Sequence, residues 1–119
     1  MRAALREAYV LDDAGEIDAY TPADPTNDGV TVRLMVGPAD GPGEESFDVI
    51  VCTPRWLQGA ADEDGPQIGR HLLVVGTLDL PAAVAFLKNH VESLDGADWH
   101  RLAEQLARIG YWEFEDYTP

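Results

Sequence analysis

The sequence predicts an α+β domain: an antiparallel sheet of four to five strands with two C-terminal helices packed on one face. Three observations lead there. Up to about residue 75 the apolar residues fall at alternate positions in short segments, the mark of half-buried strands. Beyond residue 79 their spacing changes to three and four, the helical period. Between the segments lie four Asp-Gly pairs, Asp28-Gly29, Asp40-Gly41, Asp64-Gly65 and Asp95-Gly96. Asp bonds its own nearby backbone and Gly accepts positive φ, so each pair marks a turn or a cap.

Ala4 to Leu11 reads as the first strand, followed by a polar stretch, Asp12 to Glu16. Ile17 to Tyr20 is ambiguous, and Pro22 and Pro25 impose an extended loop after it. Val30 to Val36 is the clearest strand, with Val30, Val32, Leu34 and Val36 on one face and Thr31, Arg33 and Met35 on the other. Phe47 to Cys52 alternates likewise, Phe47, Val49 and Val51 against Asp48, Ile50 and Cys52. The turn-rich link from Gly37 to Glu45 makes these two an antiparallel hairpin. His71 to Val75 is apolar on both faces and is expected as a central strand. Leu80, Val84, Leu87 and Val91 form one helical stripe, with Asp79 as N-cap and Pro81 in the first turn. A second helix is expected from Asp98, with Trp99, Leu102, Ala103, Leu106 and Ile109 on its apolar side and Gly110 at its end. Tyr111 to Asp116 alternates again and reads as a last, half-exposed strand.

A chain of 119 residues, 45 % apolar, is one domain's worth of protein (residues 1–119) and buries enough surface to fold without disulfides or a structural metal. Its 22 acidic and 8 basic residues give a net charge of −14. Such a balance argues against nucleic acid or an anionic membrane as partner, since both are held by clustered Lys and Arg. The single cysteine, Cys52, permits no intrachain disulfide and points to a reducing, cytoplasmic location. Met1 to Asp13 lacks the pattern of a signal peptide, and no apolar run reaches the length of a membrane helix.

No catalytic constellation emerges. Ser46 and Ser93 lie in no nucleophile elbow, and Cys52 ends an apolar strand with no cationic neighbour, so it reads as a small buried hydrophobe. His71, His90 and His100 lack metal-ligand spacing; the first is expected in a strand and the others on helix surfaces. The glycine-rich link at 37–43 contains Pro38 and Pro42 and runs into Glu44 and Glu45, so it cannot cradle phosphate. Asp62-Glu63-Asp64-Gly65 imitates the middle of a calcium loop, but Ala60 and His71 stand where its first and last carboxylates belong. The segment reads as a solvated acidic loop. No cofactor or metal is expected, and no enzyme activity.

The segment from Phe47 to Leu57, Phe-Asp-Val-Ile-Val-Cys-Thr-Pro-Arg-Trp-Leu, runs a strand into a Thr-Pro turn and an exposed-looking Trp56. It resembles the Immunity protein 8 family of bacterial polymorphic toxin systems, whose members carry a segment like Phe-x-x-x-Val-Cys-Thr-Pro-x-Trp-Leu. Tyr20-Thr-Pro-Ala-Asp24, Val36-Gly-Pro38, Gly69-Arg-His-Leu72 and Trp112-Glu-Phe-Glu-Asp-Tyr117 are similar to further family segments in the same order, so the resemblance spans about residues 20–117. It implies a cytoplasmic antitoxin that binds a secreted toxin domain by protein–protein contact, without catalysis or cofactor. It does not identify the toxin, and it carries over no binding residues.

Charge and expected exposure nominate the contact residues instead: Glu44 and Glu45; Asp62, Glu63 and Asp64; Glu113, Glu115 and Asp116. Trp56 joins them as an aromatic anchor, although a place at the edge of the core is its favoured role. The acidic balance suits a basic toxin such as a nuclease, whose approach it would steer. Two other readings fit the residues: an acidic intracellular adaptor with no toxin partner, and a small carboxylate-based hydrolase.

Overall fold

The computed structural model of the chain describes residues 1–12 and 15–115. Six strands form one sheet: β1 (Ala3–Val10), β2 (Gly15–Glu16), β3 (Gly29–Pro38), β4 (Glu45–Cys52), β5 (Leu72–Val74) and β6 (Tyr111–Trp112). Among the described residues three helices accompany it: α1 (Pro54–Asp64), α2 (Leu80–Ser93) and α3 (Trp99–Leu106). The ambiguous segment after β2 is a single 3-10 turn, Ile17–Ala19.

The strand order is β2-β1-β3-β4-β5, with β6 pairing beside the first half of β4. The hairpin of β3 and β4 is antiparallel over its full length, and Val32 faces Val49 as Leu34 faces Phe47. Their alternation puts Val32, Leu34, Val36, Phe47, Val49 and Val51 on one face, all fully buried. Onto that face α2 delivers Leu80, Leu87 and Val91, and α3 delivers Leu102 and Leu106, making a single core cluster. Both helices start on the Asp caps their sequences announce. Asp79 accepts from the Ala82 N–H at 3.2 Å and Asp98 from the Arg101 N–H at 2.8 Å.

Four expectations need correction. First, the strand expected in the centre, β5, lies at the sheet edge and pairs parallel to β4. A parallel pair needs a crossover, and α1 supplies it. Leu72–Val74 looks apolar on both faces because α1 stands on one side and the core on the other, not because strands flank it; Val74 remains 53 % exposed. Second, the Thr-Pro turn and the acidic loop after it are the two ends of α1. Thr53 is its N-cap, accepting from the Trp56 N–H at 3.3 Å, and Pro54 occupies the first turn. Asp62, Glu63 and Asp64 form its last turn, closed by Gly65 at φ 88°. Third, His71 is not a strand residue. It takes φ 63°, a left-handed turn that aims the chain into β5. Fourth, the closing strand is only Tyr111–Trp112; Glu113 to Glu115 turn away, and Asp116 lies outside the described residues.

Candidate functional site

The sheet's second face is where the structure gathers side chains capable of recognition. Register aligns them. Glu16 pairs with Tyr9, Tyr9 with Arg33, Arg33 with Asp48, and Asp48 with Tyr111. These five residues therefore form a transverse row, one from each of β2, β1, β3, β4 and β6. Glu7 and Met35 form a second row on the hairpin side, and Thr31, Ile50 and Leu72 a third on the other side.

At the centre of the row, Arg33 and Asp48 make a bidentate pair, with Nε–Oδ1 at 2.8 Å and Nη2–Oδ2 at 2.9 Å. Its hydrogen bonds to Asp48, with a further one donated to Tyr9, hold the guanidinium even more firmly protonated than usual. Tyr111 packs its ring edge-on to His71, whose Nε2 lies 2.8 Å from the Ala107 carbonyl oxygen. The buried stripes of α2 and α3 pack on the opposite face. Tyr9, Arg33, Met35, Asp48 and Ile50 are half-buried, and Tyr111 is 48 % exposed.

One end of the face is walled by α1. Gly29, at the start of β3, leaves room for Trp56: a Cβ there would lie 2.3 Å from Trp56 Cε2. The indole thus covers the sheet end at half burial, against Gly29 and not against the core cluster, where a place at the core edge was expected. Leu57 and Ala61 line one groove with Leu72 and Val74. Cys52 beneath is fully buried, and burial pushes its thiol pKa up, as suits an inert packing residue.

The residues nominated from charge do not come together. Glu45 is half-buried and faces the helices; its Oε1 accepts from Trp99 Nε1 at 2.7 Å and from Trp112 Nε1 at 3.1 Å. Glu113 accepts from the Ser46 N–H at 2.7 Å, and Glu115 bonds Arg70 at 2.7 Å with its side chain 13 % exposed. Asp62 takes a hydrogen bond from Gln58 one turn earlier, at 2.9 Å. Glu44, Glu63 and Asp64 are exposed and enter no ion pair among the described residues. Asp48, a carboxylate within a strand, is committed to Arg33. Among the described residues no three His, Cys, Asp or Glu side chains are grouped to hold a metal. The row itself was half visible in sequence, since Thr31, Arg33 and Met35 alternate with the core valines. Its partners Tyr9, Asp48 and Tyr111 come from distant segments that only register aligns.

The family model of Immunity protein 8 matches residues 3–117, nearly the whole chain. The chain belongs to the Immunity protein 8 family. Family membership makes it an immunity protein of toxin systems, implies a toxin protein as partner and suggests a non-enzymatic role. No curated protein and no solved structure matches it. Within the family match lie both the Val51-to-Leu57 segment, which builds the start of α1, and every strand of the row. No helix among the described residues is long and apolar enough to cross a membrane.

Proposed function

We propose that this immunity protein neutralises a basic toxin domain, a nuclease being the fitting type, by binding it in the cytoplasm of the cell that makes both. Family membership over residues 3–117 carries the reading. The basic character of the partner is supported by the net charge of −14. It is supported further by where that charge lies. Asp62, Glu63 and Asp64 sit at the C-terminal end of α1, with no basic residue in that turn. A helix C-terminus already carries about −0.5 charge, so carboxylates there oppose folding and leave a strong outward field. A cationic partner relieves that repulsion.

Of the nominated contacts, Glu44, Asp62, Glu63 and Asp64 present carboxylates outward; Glu45, Glu113 and Glu115 contact a partner only at the cost of their internal bonds. The test is association kinetics against the toxin domain encoded by the adjoining reading frame, at several salt concentrations. Charge steering is screened within about 8 Å at physiological ionic strength, so the on-rate should fall steeply with salt while the off-rate changes less. Neutralising Asp62, Glu63 and Asp64 together should lower the on-rate and leave the fold intact. A salt-indifferent on-rate would remove the electrostatic part of the proposal. No binding, and no protection of cells expressing the toxin, would remove the whole of it.

A further inference from the structure

A two-layer domain must leave one sheet face uncovered, and water ordinarily fills that role. A face meant for water alternates hydrophobic-in with polar-out. This one departs from that pattern: beside Thr31, Arg33 and Asp48, Met35 and Ile50 also point outward from β3 and β4, next to the tyrosines of β1 and β6. Tyr, Met and Arg are the types enriched at protein interfaces, and Tyr, Trp and Arg carry most of their binding energy. Tyrosine suits a waiting surface because it offers large contact area on few rotatable bonds.

The two cations that rise from the strands of this face are both occupied, and Arg55 at the start of α1 lies 3.8 Å from Asp24. Arg33 is clamped by Asp48, and Arg6, the extra residue where the β1–β3 register shifts, donates to the carbonyl oxygens of Pro38, Gly41 and Gly43. Around them Glu7 and Glu16 are exposed and enter no ion pair among the described residues. The acidic last turn of α1 belongs to the helix that walls the same face. The α3 side carries both signs, with Asp95, Asp98 and Glu104 exposed. Arg101 and Arg108, on α3 and the turn after it, are exposed, and their side chains make no hydrogen bond or ion pair among the described residues. A basic surface is therefore attracted to the acidic rim of the sheet side. Size is adequate as well. Five strand positions at ~4.8 Å spacing span roughly 20 Å and the ten residues of β3 roughly 30 Å, with β2 and β6 filling two residues each; together with α1 this is commensurate with the ~800 Å² each partner contributes to a standard interface.

We propose that the toxin domain docks on this uncovered face, centred on the Tyr9–Arg33–Asp48–Tyr111 row. The matching patch on the toxin is apolar at its middle and ringed by Lys and Arg. The inference rests on the reading above that the partner is a basic toxin domain. In the complex the tyrosines and Met35 lose their water, and Glu7 and Glu16 meet the partner's cations. The Arg33–Asp48 pair, neutral overall, enters the interface without an uncompensated charge.

The experiment titrates the intact chain against the toxin domain of the adjoining reading frame by calorimetry, with far-UV circular dichroism checking each variant's fold. Tyr111→Ala and Tyr9→Ala should each weaken binding by about 30-fold or more, the loss typical of a hot-spot residue. Glu7→Lys with Glu16→Lys changes only exposed side chains, so it tests the face should Tyr9→Ala unfold; it should slow association by about tenfold or more. Phe86→Ala, an exposed aromatic on α2 at the other side of the molecule, should change affinity less than threefold, about 0.6 kcal/mol. Full affinity in the folded tyrosine and lysine variants overturns the proposal and leaves the immunity reading standing. A loss in Phe86→Ala alone does the same. A dimer of the free chain that Tyr111→Lys dissociates gives the face to a second copy and also overturns it. Failure of the wild-type chain to bind removes both readings.

Discussion

Glu45→Ala is the substitution that most directly probes how the sheet is joined to its cover. Glu45 opens β4, and one of its carboxylate oxygens receives two indole N–H groups, from Trp99 on α3 and Trp112 on β6. Trp112 in turn stacks on Phe47, with ring centroids 6.3 Å apart and planes 12° from parallel. A single acceptor therefore fastens a helix and a strand to the sheet at the same place. Alanine removes it and strands both donors. A hydrogen bond to a charged group is worth about 1.5–3 kcal/mol, so two intact bonds set a ceiling near 3–6 kcal/mol. The site is half-buried and water recovers part of that, which brings the expected loss to ~2–4 kcal/mol. Urea unfolding followed by tryptophan fluorescence measures it, since two of the three tryptophans are reporters at the site. Glu45→Gln keeps an acceptor oxygen and should lose under ~1 kcal/mol. A cost below ~0.5 kcal/mol for Glu45→Ala, with emission unchanged, would refute the reasoning. Weaker toxin binding by a fully folded Glu45→Gln would instead give the carboxylate a role at the interface.

Three further outcomes are expected. Gly29→Ala places a methyl against the Trp56 ring, where the gap is 2.3 Å, and should destabilise by ~1–3 kcal/mol while moving Trp56 toward water, read by a red-shifted emission. Leu87→Ala and Leu106→Ala, both at most 2 % exposed in the core under α2 and α3, should each cost ~2–5 kcal/mol in chemical denaturation; under ~0.5 kcal/mol at both would contradict the helix faces. Glu92 accepts from Lys88 and from the Leu5 N–H, and these bonds hold its pKa below the ordinary 4.5. A carboxyl whose folded pKa is depressed stabilises the fold above its ordinary value and loses that contribution as pH falls through the folded one. The stability gap between wild type and Glu92→Gln should thus be flat above pH 4.5 and close below it, and a gap unchanged at low pH would count against the linkage.

Much of this molecule could be read along the chain because its signals are local. Alternation in Val30–Val36 and Phe47–Cys52 specifies a buried and an exposed side wherever a core forms, since side chains in a strand repeat every second residue. The stripe of Leu80, Leu87 and Val91, with caps at Asp79 and Asp98, carries the same kind of information for helices. The Val-Cys-Thr-Pro-x-Trp-Leu segment was enough to mark the family. Other local signals are weak: Thr53 followed by Pro54 is a helix start, but acidic residues and Gly59 leave the α1 behind it only weakly apolar. What the tertiary structure alone decided is neighbourhood. The parallel, edge position of β5 depends on a crossover between segments that have no periodic relation. Exposure of a carboxylate is likewise not a property of its sequence position: Glu45 and Glu115 are engaged inside the fold while Glu63 is not. Tyr9, Arg33, Asp48 and Tyr111 lie up to a hundred residues apart and become one row only because hydrogen-bond register aligns four strands, and register is settled by the packing of the opposite face.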